Sequence, residues 1–478
     1  MSLLQEDAPR DAFAELVFFR TELYACLAGR RDALFELGDA LLCADGPVKT
    51  LVELSLAPEH RRGHGALYGG VNRGRLDVSR LRRALAGLPL PRTAEGRLVL
   101  AVDVSNWLRP DANTSPDRLF CHTYGRGRDS AQMVPGWPYS FVAALEQGRT
   151  SWTAVLDVVR LCPWDDAIAV TAAQVRDVFQ RLYVAGQWKI GDLPVLVVVD
   201  AGYDVTRLAF LLADLPVELL GRMRSDRVLY FPPLPQPAGK CGRKPKRGAE
   251  FAFEDAATQP VPSVTTVTDT THYGKAVATA WHPLHPLLTP RSAWASYPEG
   301  ELPVIEGTVI RLQVDHLRGD HSPRPIWLWW SATAATAADV DRLWQAFLRR
   351  FDLEHTFRLF KQTLGWTTPK IREPAAADRW TWIVIASHTQ LRLARPLAED
   401  LRKPWERPAR QGRLTPARVR RGFRRVHAKT PQPASAPKPT VAGPGRPAGR
   451  KNKHRAHVHP VGKQGKPKPT GLITSTSG

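Results

Sequence analysis

The chain has 478 residues, 43% of them apolar, with 67 Lys and Arg against 46 Asp and Glu and a formal charge of +21. At ~100–200 residues per domain this suffices for more than one buried core, which excludes a wholly disordered protein and a small disulfide scaffold. Cys26, Cys43, Cys121, Cys162 and Cys241 are scattered with no Cys-x-x-Cys pair, so neither a disulfide framework nor a structural zinc site is expected, and a reducing cytoplasm is the simplest compartment. The apolar run at 193–199 is far short of the ~20 residues a bilayer requires, and Glu6, Asp7 and Asp11 stand where a signal region would be basic, so no membrane partner is expected.

Residues 1–95 read as a helical domain: Phe13, Leu16, Val17, Tyr24 and Leu27, then Leu34, Leu37 and Leu41, recur at helical intervals. Its arginines (Arg61, Arg62, and Arg73 through Arg83) suit DNA contact, with an ordinary charged face as the alternative. From 96 to 224 the pattern changes. Two runs dense in β-branched residues, 97–103 and 193–200, end in Asp103 and Asp200 and read as strands buried on both faces. Segments 139–145 and 152–159 supply two more strands, 171–185 and 205–212 two helices, and 217–220 a further strand. That order predicts an α/β fold with a ribonuclease H-like catalytic core. Residues 225–335, rich in Pro, Thr, Val and Trp, read as a β-rich insertion. Helices of the core resume over 336–400, from about Ala337 through Lys361 and from about Ala376 to Leu393.

Residues 401–478 hold 20 Lys and Arg against a single acid, Glu406, so +19 of the +21 charge sits there. Such density predicts a polyanionic partner. Segment 414–426 reads as a short basic helix; beyond Thr430 the Pro, Gly, Lys and His content predicts a largely disordered tail. Gly445-Arg446-Pro447 has the extended Arg-Pro form that fits a narrow minor groove. Arg243, Lys244, Lys246 and Arg247 form a basic loop in the insertion that suits contact with the DNA backbone. Trp327 and Trp329 alternate as core residues do; stacking on an extruded base is the other option for the insertion tryptophans.

Asp103 and Asp200 each follow an apolar strand, where side chains of a parallel sheet emerge into a ligand crevice. Neighbouring carboxylates repel unless a cation lies between them, and Mg²⁺ favours such hard oxygens. Phe347, Arg350, Glu354 and Lys361 are spaced by three, four and seven, which at ~100° per residue places them on one helix face. Glu354 there suits a metal, with Arg350 and Lys361 on phosphate oxygens; an ordinary ion pair is the alternative.

The pattern Phe347-x2-Arg350-x3-Glu354-x6-Lys361 resembles the Tyr-x2-Arg-x3-Glu-x6-Lys signature of insertion-sequence transposases with a ribonuclease H-like DDE core, with Phe347 in place of Tyr. The words around Arg350–Trp366 and Val199-Asp200-Ala-Gly-Tyr-Asp204 are similar to those of actinobacterial-type DDE superfamily endonucleases. The resemblance implies that Asp103, Asp200 and Glu354 form a catalytic triad binding Mg²⁺, with Mn²⁺ able to substitute. It also implies cleavage at element ends, transfer of the 3′-ends into target DNA, and a homodimer on double-stranded DNA in the bacterial nucleoid. A catalytically inactive DNA-binding relative and a nuclease without strand transfer are the alternatives.

Overall fold

The computed structural model describes residues 4–123, 132–148, 150–234, 245, 247–291, 294–295, 297, 302–316, 323–409, 413–439 and 454–462. The N-terminal part contains helices α1 (Leu4–Cys26), α2 (Arg31–Cys43), α3 (Leu51–Ser55), α4 (His64–Arg73) and α5 (Val78–Gly87), with short paired strands β1 (Leu27–Gly29) and β2 (Arg75–Leu76) between them. Strands β3 (Val99–Leu108), β4 (Leu119–Thr123), β5 (Gln132–Leu145) and β6 (Thr153–Arg160) follow, then α6 (Ala167–Val184), β7 (Val195–Val199), α7 (Val205–Leu211) and β8 (Val217–Met223). Next come β9 (Val228–Tyr230) and β10 (Glu250–Ala252), a pair apart from the main sheet, and β11 (Val264–Thr270), β12 (Gly274–Leu284), β13 (Gly307–Val314) and β14 (Ile326–Trp330). Helices α8 (Ala337–Arg349), α9 (Phe351–Arg358), α10 (Pro374–Ala394) and α11 (Pro416–His427) complete the order.

One mixed sheet dominates, in the order β11-β12-β13-β14-β8-β7-β3-β5-β4, with β6 beside β5. β3, β7 and β8 are parallel, whereas β5 runs antiparallel to both β3 and β6. The two apolar runs ending in aspartate are thus adjacent central strands, and β7 is buried along its whole length, as its Val-rich sequence requires. Helix α6 starts a turn earlier than expected at Thr171, because the Asp166 side chain accepts from the backbone N–H groups of Ile168 and Ala169 and extends an apolar stripe forward. Asp204 caps α7 in the same manner.

The insertion strands continue the main sheet: β14 pairs antiparallel with β8, Trp329 opposite Gly221, so β8 is spared from being a bare edge. The tryptophans of this segment are interior. Trp281, Trp294, Trp327, Trp329 and Trp330 are all buried, and Trp327 stacks on Phe253 with ring centroids 4.4 Å apart, so they are not open to a flipped base. The N-terminal helices likewise share one core with the large sheet: α10, buried around almost its whole circumference, packs against α1, α2, α4 and β6.

The expected basic tail is partly built into the fold. Helix α11 lays Val419, Phe423 and Val426 into the core beside α10 and α2. Its arginines meet acids: Arg418 with Asp400 at 3.4 Å, Arg421 with Glu406 at 2.7 Å, Arg424 with Glu59 at 3.0 Å, and Arg425 with Glu399. Arg420 is buried and donates to the carbonyls of Leu41 and Gly46. Further on, the Gly462 N–H donates to Arg118 O at 2.8 Å and the His459 N–H to Asn113 O at 2.9 Å, so residues 454–462 run against β4 and the loop before it. Residues 440–453, with the Gly445-Arg446-Pro447 motif, lie outside the described residues.

Asp39 locks these parts together. Arg20 donates to it at 2.6 Å and to Gln390 at 2.7 Å, Gln432 donates to it at 3.0 Å, and His427 Nε2 lies 3.1 Å away. Burial alone would raise the Asp39 pKa, but His427 and Arg20 outweigh it and hold the carboxyl at about 2, below its ordinary 3.8. A depressed carboxyl contributes stability that is whole above the unfolded pKa and is lost as pH falls through the folded one, here about 2 kcal/mol disappearing between pH ~4 and ~2. Asp39→Asn should therefore be less stable than the parent at neutral pH, and urea unfolding should show that gap closing across this acid window.

Candidate active site

The parallel ladder between β3 and β7 places Val102 opposite Val199. Asp103 and Asp200 follow one step on, side by side on strands ~4.8 Å apart: Asp200 just beyond the end of β7, Asp103 in the middle of β3, which runs on to Leu108 past the point where its pairing with β7 stops. Asp103 is opposite Phe141 of β5, and its Oδ1 accepts the Val104 N–H at 2.8 Å. The third acid arrives from α9, which covers this face through contacts with β3, β5 and β6.

Arg350 joins all three. Its Nη1 donates to Asp103 Oδ2 at 2.7 Å, and its Nη2 lies 3.3 Å from Asp200 Oδ2 and 3.3 Å from Glu354 Oε1. The Arg350 side chain is only 3% exposed, while Glu354 is 46% exposed, so the cluster has a sealed floor and an open rim. The guanidinium carbon stands 5.8 Å from the Phe347 ring centroid and 5.1 Å from that of Phe351, so aromatic rings flank the charge. Phe347 stands where the signature has Tyr and acts here as an apolar wall, 1% exposed. Buried and shared among three carboxylates, Arg350 has its charge engaged inside the protein.

The signature residues do not lie on one straight helix either. The chain breaks between α8 and α9 at Arg350, with three-residue bonding from the Arg350 N–H to Phe347 O at 3.1 Å and from the Leu353 N–H to Arg350 O at 2.9 Å. It then widens to a π-turn across Leu359–Thr363, a device common at functional sites. Lys361 rides on that turn, 5.9 Å from the Trp366 ring centroid, with no ion pair among the described residues. Burial lowers its pKa, and the charge of Asp103 opposes that shift. Asp103 itself is pushed up to about 6, chiefly by burial; Arg350 pulls it down, and Asp200 and Glu354 push it higher. A carboxylate so poised is short of positive charge.

Among the described residues no three His, Cys, Asp or Glu side chains are grouped tightly enough to clasp an ion; the triad is joined through the guanidinium instead. The donor set nevertheless fits a hard divalent cation. All the ligands are carboxylate oxygens, and Asp200 Oδ1 is buried with no hydrogen-bond partner.

Tyr203, three residues after Asp200, carries no motif that marks it in the sequence. Its hydroxyl is buried without a hydrogen-bond partner, and its pKa is raised by burial and by the charge of Asp103, so it belongs to the wall of this site. Asp157, within an apolar run, is held by Arg82 at 2.8 Å and by Arg181, which makes it a structural ion pair. Of the basic loop, Arg247 is exposed and lies 4.8 Å over the Tyr230 ring; Arg243, Lys244 and Lys246 lie outside the described residues.

No helix among the described residues is long and apolar enough to cross a membrane. No curated protein matches the chain. A model of the DDE superfamily endonucleases matches residues 22–284, more than half of the chain, a span that includes Asp103 and Asp200 and stops short of Glu354. With two aspartates on adjacent central strands inside that match, the chain belongs to the DDE superfamily endonuclease family, enzymes of the nuclease and transposase type that act on DNA.

Proposed function

We propose that the protein is an insertion-sequence transposase of the group with the Tyr-x2-Arg-x3-Glu-x6-Lys signature and of actinobacterial type, which binds element ends, cleaves their phosphodiester bonds and transfers the 3′-ends into target DNA. The convergence of Asp103, Asp200 and Glu354 on the single buried guanidinium of Arg350 carries this reading. The strand order β6-β5-β3-β7-β8, with β5 alone reversed, supports a ribonuclease H-like core beneath it.

In-line displacement at phosphorus asks a protein mainly for positioning and charge neutralisation. Asp103, Asp200 and Glu354 would hold Mg²⁺ or Mn²⁺, which when bound supplies Lewis-acid polarisation of the scissile phosphate and of the attacking and departing oxygens. Arg350 keeps the three acids from repelling one another and fixes their spacing. Lys361, without an ion pair among the described residues and close enough to Asp103 to feel its charge, would supply positive charge for a phosphate oxygen. Arg247, which is exposed, and Arg243, Lys244 and Lys246 of the same basic segment would contact the DNA backbone. Joining two ends calls for two active sites, so a homodimer on DNA is part of the proposal.

The test is incubation of the full chain and Mg²⁺ with supercoiled plasmid carrying the gene and its flanking DNA. Excised fragment and joined products are expected. DNA left uncut points to a catalytically inactive binding protein, and cuts without joined products point to a nuclease lacking strand transfer; either result overturns the assignment.

A further inference from the structure

A cavity of about 600 Å³ lies between β2, the end of β6 and the first turns of α10. Four arginines line it, Arg75, Arg82, Arg160 and Arg379, against one carboxylate, Asp378. Asp378 is already engaged, accepting from Arg160 Nε at 3.0 Å and from the Tyr139 hydroxyl at 2.7 Å. Arg82 shares Asp157 with Arg181. Arg75 is exposed, Arg379 is half-buried, donates to the Val71 carbonyl and feels the charge of Asp378, and neither forms a contact ion pair with a carboxylate among the described residues. Four guanidiniums around one carboxylate that Arg160 already engages leave the cavity with an excess of positive charge, and the planar guanidinium fork suits phosphate. Trp382, Leu76 and Val158 give the same cavity an apolar wall. Its volume lies within the ~300–1,000 Å³ of small-molecule sites, well beyond what a bare phosphate fills.

Its position relates it to the triad. Tyr139 on β5 is paired with Ser105 of β3 on one side and with Arg160 of β6 on the other. Ser105 is two residues beyond Asp103, so side-chain alternation puts Tyr139, Arg160 and Asp103 on one face and at one end of the sheet. The cavity is two strands from Asp103, roughly 10 Å across the sheet, with the buried rings of Tyr139, Phe141 and Trp366 packed between them.

We propose that this cavity binds a phosphate-bearing nucleotide, its phosphate on Arg75 and Arg379 and its ring against the Trp382 wall. The inference rests on the assignment of DNA as substrate, and it adds a nucleotide site apart from the triad.

The test uses full-length Asp103→Asn protein, which leaves DNA uncut, and a fluorescein-labelled single-stranded decamer followed by anisotropy. Arg75→Gln and Arg379→Gln should each weaken binding about tenfold and lower the slope of log affinity against log salt by about 1, whereas Arg402→Gln on the exposed tail should not weaken it as much. Because Arg75 is exposed, its substitution reports on binding even if Arg379→Gln fails to fold. Displacement of the decamer by dAMP identifies a single nucleotide as sufficient; no displacement, with Arg75→Gln still weakening the decamer, identifies a nucleotide within a strand. Inorganic phosphate competing as well as dAMP overturns the nucleotide assignment. Arg75→Gln and Arg379→Gln binding like the parent, or no worse than Arg402→Gln, overturns the pocket. Since binding is read without cleavage, a failed cleavage assay leaves this result standing, and indifferent arginine variants leave the cleavage assignment standing.

Discussion

Asp103→Asn, Asp200→Asn and Glu354→Gln should each depress Mg²⁺-dependent cleavage of element-end DNA by about a thousandfold or more, while DNA binding stays within a few-fold of the parent. A thousandfold is about 4 kcal/mol of transition-state stabilisation, the scale of losing one charged oxygen that holds a cation on the scissile phosphate. The amide keeps the shape and one acceptor, so the effect isolates the charge. Folding should be spared: Asp103 is held near pKa 6 by burial and by two neighbouring acids, so removing its charge relieves repulsion as well as weakening the hold of Arg350. Glu354→Gln is the sharpest of the three, because Glu354 lies beyond the residues matched by the family and is tied to the site through Arg350. Gel assays of cleavage and anisotropy for binding separate the outcomes; parental cleavage by Glu354→Gln would remove it from the triad.

Asp200 was legible because its strand is legible, whereas Asp103 ends an apolar run but not its strand, which continues to Leu108. A run such as Val195–Val199 can bury both faces only inside a sheet, and the polar residue that ends it must surface at the sheet's carboxyl end. Glu354 was reached through its spacing to Arg350 and Lys361, although the straight helix assumed for that spacing is broken at Arg350 and widened at Leu359–Thr363. What the spacing could not disclose is the side-chain target. Arg350 reaches Asp103, 247 residues earlier, and a local pattern carries no sign of so distant a partner. The same limit governs the tail: Glu399, Asp400 and Glu59, which engage arginines of α11, lie outside the segment whose charge was counted. Nor does a β-rich composition say which edge its strands will join, and the insertion closes on β8 through register alone.

Arg350→Ala should lower the unfolding free energy of the cation-free protein by about 3 kcal/mol, because it deletes the buried countercharge of three converging acids and leaves their repulsion unrelieved. The pH dependence follows from the acids left behind. With the guanidinium gone, the Asp103 carboxyl, already raised to about 6, must rise further, since Arg350 is the charge that holds it down. A raised carboxyl makes the folded state the better proton binder, so the variant should regain stability as pH falls from 7 toward 5 and lose it as pH climbs. Combining the substitution with Asp103→Asn should cost less than the two changes summed, since each removes a partner of the other. Millimolar Mg²⁺ should raise the urea midpoint of Arg350→Ala more than that of the parent, because a divalent cation among the three carboxylates then replaces the neutralisation the guanidinium supplied. Equal responses to Mg²⁺ in the two proteins would show that the acids gathered by Arg350 do not take up the cation, and cleavage chemistry at this cluster would have to be abandoned.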